Sequence, residues 1–137
     1  MPAQDLCLDE DGLRLRRAVI GDDWVDSSLD AADEFTRPLQ EIATNNVWGN
    51  IWTRPGLSLT SRSLVTVAIL VALNRPAELA LHVAGALRNG CSRDEIREVL
   101  IHCSAYCGMP AAVDAFAVAR KVLADADAVA AGGRSDG

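Results

Sequence analysis

The 137-residue sequence has no long hydrophobic run. Its longest uncharged apolar stretch is Leu64 to Leu73, ten residues with Thr66 among them, about half of a membrane span. Met1 to Asp11 carries four acidic residues and no basic one, which reads against a secretory leader. Basic residues are the minority, 13 Lys+Arg against 19 Asp+Glu, for a formal net charge of −6. Such a chain lacks the electrostatic footprint of a nucleic-acid binder and the polybasic patch that anionic membranes attract. With two His and no CxxC pair, a zinc site is not indicated. There is no GxGxxG and no Walker loop, so no nucleotide cofactor is expected. The four cysteines (Cys7, Cys91, Cys103, Cys107), without a secretory leader, are expected reduced. These absences predict a soluble cytoplasmic protein with no metal, cofactor, nucleic-acid or membrane partner.

What remains is helix. The length suits one domain, and half of the residues are apolar. Spacing predicts helices over Asp9–Val19, ended by Gly21, and over Asp26 to about Ala32. Thr36-Arg37-Pro38 opens a third, since proline loses nothing at a first helical position, and Gly49 stops it after Trp48. Trp52 to Leu59 reads as a loop turning at Arg54-Pro55-Gly56. Thr60 or Ser61 then caps Arg62–Leu73, which is apolar nearly all round and is expected to be the buried central helix. Pro76 opens a helix ending at Asn89-Gly90. Ser92 and Glu95 form a capping box for Arg93 to about Cys107, ended by Gly108. Pro110 opens the last helix, through Leu123 and fraying beyond. No strand and no internal repeat is visible. The expected organisation is one all-α domain over 1–130 and a disordered tail over 131–137.

Few residues could carry chemistry. Glu78 and His82 are four apart, on one face of a largely apolar helix. A carboxylate beside an imidazole orients it and raises its pKa, which suits a general acid or base. The same spacing also describes an ordinary surface pair. Cys103 and Cys107 share that spacing, but they continue the stripe Ile96, Val99/Leu100, Cys103, Tyr106/Cys107 and read as small core residues more readily than as a redox pair. His102 lies one position off the stripe. Trp48 to Leu57 holds Trp48, Trp52 and Arg54 within a few residues. It fits a pocket wall, a subunit contact or a packed loop equally.

Taken together, several stretches resemble the carboxymuconolactone decarboxylase family. They are Gly12 to Gly21, Trp48 to Leu57, Thr60 to Leu64, Glu78-Leu79-Ala80-Leu81-His82, Asn89-Gly90, Glu95 to Leu100 and Tyr106 to Ala112. The resemblance covers Gly12 to about Leu123. It implies an all-helical, AhpD-like/carboxymuconolactone decarboxylase-like bundle assembled as a homo-trimer or homo-hexamer. It also implies a cofactor-free decarboxylation of an unsaturated lactone carboxylate such as 4-carboxymuconolactone, within aromatic catabolism (the β-ketoadipate pathway). His82 would be proton donor or oxyanion partner, Glu78 its orienter and Arg62 an anion binder. A sister branch with a CxxC on the matching helix is a thiol peroxidase partner. Glu78 and His82 occupy that helix here, which argues against thiol chemistry, although a thiol-dependent peroxidase remains the reading from another class. Three positions depart from the family pattern. Trp24 stands where these decarboxylases have His, Ala84 where they have Arg and Val113 where they have Asn. If these positions bind substrate, the site suits a less charged lactone or keto acid, in a biosynthetic pathway.

Overall fold

The computed structural model describes residues 6–133, all of whose regular structure is helical. The acidic start and the tail expected to be disordered lie partly outside these residues. No helix among the described residues is long and apolar enough to cross a membrane. The chain divides into two compact units, one up to Leu59 and one from Thr60.

The first unit begins with α1 (Glu10–Ile20), whose N-cap Asp9 accepts from the Gly12 N–H at 2.7 Å. That bond satisfies one of the donors a helix start leaves over. Gly21, at φ 95°, turns the chain directly into α2 (Asp22–Asp30). This helix therefore starts four residues earlier than its pattern suggested. Arg17 ties the two helices together, 2.7 Å from Asp26 and 3.6 Å from Asp22. The third helix differs most from expectation. After α3 (Arg37–Ile42) the chain continues as a π-helical segment, Ala43–Ile51, and the Trp52 N–H donates five residues back to the Val47 carbonyl. Gly49 does not stop this helix. It sits within it, where the backbones of α1 and the π segment meet. A Cβ on Gly12 would collide with the Thr44 carbonyl oxygen and crowd the Gly49 backbone. Only glycine allows that approach. Val19, Ile20, Val25, Leu29, Trp48 and Trp52 form the core of this unit.

The second unit holds α4 (Leu59–Ala72), α5 (Pro76–Arg88), α6 (Arg93–Tyr106) and α7 (Met109–Gly132). Asn74, at φ 55°, makes the tight turn from α4 to α5. The two helices run antiparallel, and Asn89 Nδ2 donates to the buried Ser63 Oγ at 2.9 Å. The capping box of Ser92 and Glu95 is present. Gly90 and Gly108, both near φ 90°, end α5 and α6. The core is Val67 and Val71 with Leu79, Val83, Ala86, Ile96, Leu100, Cys103, Ala115 and Ala119. Two expectations change here. The last helix does not fray after Leu123 but continues to Gly132. And α4 is not buried all round: Val65, Ile69 and Leu73, one helical stripe, are 49%, 51% and 62% exposed.

Candidate functional site

Arg62, Glu78, His82, Ala84 and Val113 belong to the second unit, and Trp24, Trp48, Trp52 and Arg54 to the first. Glu78 and His82 lie one turn apart on α5, as their spacing requires. Pro76 starts that helix where its missing N–H costs nothing. Leu79, Val83 and Ala86 turn α5 towards the core, which leaves His82 on the flank, half-buried, and Glu78 exposed. The electrostatic outcome reverses the expectation from spacing. Burial, not Glu78, dominates the imidazole and holds its pKa below the ordinary histidine value. Burial therefore favours the neutral imidazole over the charged one. The neutral form can donate one N–H to a developing oxyanion or accept a proton.

Arg62 follows the first turn of α4. The Asn89–Ser63 bond sets that turn level with the C-terminal end of α5. The Arg62 backbone is thus roughly 10 Å of helix rise from that of His82. Ala84 is half-buried on α5 and Val113 is exposed on α7. In the first unit Trp24 is half-exposed on α2 and Arg54 is exposed in the turn after the π segment. Trp48 and Trp52 are core residues, stacked with ring centroids 4.6 Å apart. The cysteine pair follows the packing reading. Cys103 is buried in the core with Cys107 against it, and burial raises the Cys103 thiol pKa, opposite to what a reactive thiolate needs. His102 is exposed, its ring 5.0 Å from that of Tyr106.

Two features escaped the sequence reading. One is a groove between α6 and α7, with a volume of about 720 Å³, walled by Ile96, Leu100, Phe116 and Leu123 with Arg97 and Arg120 among its lining. None of the candidate site residues named from the sequence lines it. The other is Arg16, a buried arginine in the first unit. Its signal was available: Gly12, Arg16, Val19 and Ile20 share one helical stripe, so a charged side chain sits on the face of α1 that turns inward.

The pattern that defines the carboxymuconolactone decarboxylase family matches residues 37–121, from α3 into α7. Among curated proteins, the chain is 40% identical over 116 residues to a nitrosuccinic acid decarboxylase of Metarhizium robertsii, covering 85% of this chain and 81% of that protein. It is equally 40% identical, over 114 residues, to the 4-carboxymuconolactone decarboxylase of Acinetobacter baylyi, covering 83% and 85% respectively.

Proposed function

Since the chain belongs to the carboxymuconolactone decarboxylase family, and is a carboxy-lyase by that descent, we propose that its substrate is an organic acid that serves as its own electron sink. The observation that carries this reading is that both relatives, equally similar to the chain, are decarboxylases of different acids. The two acids share one property. In 4-carboxymuconolactone the electron pair left by departing CO₂ runs into the unsaturated lactone carbonyl. In nitrosuccinic acid it runs into the nitro group. Either way the C–CO₂ bond breaks, negative charge collects on oxygen, and a proton is then delivered to carbon. An enzyme for such a reaction needs a donor for the oxyanion and a proton source.

His82 fits the first task. A neutral imidazole presents an N–H without the cost of holding a buried charge, and one such donor typically contributes a few kcal/mol to the transition state. We assign Glu78 as its orienter and Arg62 as the binder of a substrate carboxylate. We further infer a cytoplasmic homo-trimer or homo-hexamer. The exposed apolar stripe of α4 supports the assembly, and four cysteines without a disulfide support the compartment.

For the substrate, 4-carboxymuconolactone is our first choice, and a less charged lactone or keto acid the second. The test is CO₂ release from 4-carboxymuconolactone and from nitrosuccinic acid. His82→Ala is expected to lower kcat by roughly 10²–10⁴ with the fold intact, and Glu78→Gln by less. If His82→Ala keeps its turnover, the assignment fails. If Cys103→Ser abolishes activity instead, thiol chemistry takes its place.

A further inference from the structure

We propose that the groove between α6 and α7 receives a second copy of this chain, which enters it with Phe35 and the outward face of α3. Phe35 is 92% exposed, Leu39 and Ile42 beyond it are exposed too, and α3 has no buried residue. The ring is nevertheless firmly placed. The Asp33 N–H donates to the Thr36 hydroxyl at 3.0 Å, and the Thr36 N–H donates back to the Asp33 carboxylate at 2.9 Å. The Arg37 N–H closes the turn on the Asp33 carbonyl, also at 2.9 Å. Phe35 is thus a preformed knob, which costs little further ordering when it is buried. Aromatic anchors of this kind dominate the energetics of protein contacts.

The groove has the room and the lining for it. Its volume of about 720 Å³ takes a phenyl ring and the aliphatic side chains that follow, and Ile96, Leu100, Phe116 and Leu123 offer them apolar walls. Phe116 to Leu123 is seven residues, roughly 10 Å of helix rise, and Phe35 to Ile42 is seven residues as well. Charge decides which part of a second copy fits. Met1–Leu59 holds 11 acidic and 5 basic residues and Thr60–Gly137 holds 8 of each, so the formal charge of −6 belongs to the first unit. Two first units therefore repel each other, whereas the groove lining holds Arg93, Arg97 and Arg120 against one acid, Asp127. Arg93 pairs with Asp127 and Arg97 with Asp94. Among the described residues Arg120 has no ion-pair partner, and neither has Glu34, exposed beside Phe35. The outward stripe of α4 is the poorer match, because that helix carries no acid. Knob and groove are different surfaces of one chain, so copies meet head to tail, a contact that closes into a ring when the rotation allows. The proposal rests on the reading that the chain self-associates, and names the surfaces that meet.

Sedimentation equilibrium of the full chain reads the association. Phe35→Ala is expected to weaken it tenfold or more with helical ellipticity unchanged, since the ring is almost wholly exposed. Ala124→Trp fills the groove from its exposed lining and is expected to weaken association similarly. Val129→Ala, an exposed side chain of α7 outside that lining, is expected to leave it unchanged. Glu34→Arg and Arg120→Glu are each expected to weaken association about two- to fivefold, and their combination to recover it, which independent structural roles would not do. A wild-type mass of one chain would end the self-association reading and this proposal with it. A wild-type oligomer unmoved by Phe35→Ala and Ala124→Trp, or charge reversals that add without recovery, would overturn the proposal alone.

Discussion

A half-buried imidazole leaves a signature in the pH dependence of stability. Burial lowers the pKa of His82 in the folded chain, so the unfolded chain takes up that proton first as pH falls. The contribution of neutral His82 is complete above the ordinary imidazole pKa. It is lost between that value and the lowered one, and is flat below. Urea unfolding from about pH 7.5 to about pH 5 is therefore expected to show wild type losing more stability than His82→Gln. Equal slopes would mean that the imidazole is not desolvated. Substrate choice is argued at the same scale. The resemblance read from the sequence expects His, Arg and Asn where Trp24, Ala84 and Val113 stand, which would make the site less polar if these positions line it. Restoring His, Arg and Asn together is expected to raise kcat/KM for 4-carboxymuconolactone about tenfold or more, since charge-assisted hydrogen bonds contribute roughly 1.5–3 kcal/mol each. Wild-type turnover already near 10⁴ M⁻¹s⁻¹ would reduce the three substitutions to drift. That Glu78 and His82 lie one turn apart on α5 was legible from spacing. The direction of the imidazole's pKa was not, because it depends on how far Leu79, Val83 and Ala86 draw α5 into the core.

At the level of elements, the punctuation was the legible part. Gly21, Pro76, Asn89-Gly90, the Ser92–Glu95 box and Gly108 all mark helix ends, because a cap is a local matter of backbone conformation and one or two hydrogen bonds. The π segment was not legible. Its five-residue hydrogen-bond step arises where the chain presses on α1, and nothing in the local pattern from Ala43 to Ile51 requires it. The contact itself predicts a large effect from a small change. Gly12→Ala places a methyl against backbone atoms of Thr44 and Gly49, neither of which can rotate away. A loss of about 2–4 kcal/mol is expected in denaturant unfolding, at the upper end for a substitution this small. At Gly49 the nearest obstacle is the Asp9 carboxylate, a side chain, so Gly49→Ala is expected to cost less. If both variants unfold with wild type, the two elements are not in backbone contact.

At the scale of the whole molecule, the all-helical class followed from periodicity, but the fate of α4 did not. An apolar helix surface looks the same in sequence whether its own chain or another copy covers it. Here Val65, Ile69 and Leu73 are left outward. Light scattering is expected to give a multiple of 14.6 kDa at micromolar concentration, and Ile69→Asp with Leu73→Asp to bring the mass down towards it. A wild-type mass of one chain would end the oligomer reading. The stacked indoles of the first core have a different use. All three tryptophans, Trp24, Trp48 and Trp52, lie before Leu59, and the lone tyrosine, Tyr106, lies after it. Indole emission therefore reports the first unit alone, and the Trp48–Trp52 pair, at van der Waals separation, gives it an exciton signature in circular dichroism. Backbone ellipticity sums both units. Following emission and ellipticity through one denaturant titration thus turns a structural division into an optical one: coincident curves mean the two units melt together, and an emission change at a different midpoint means they melt apart.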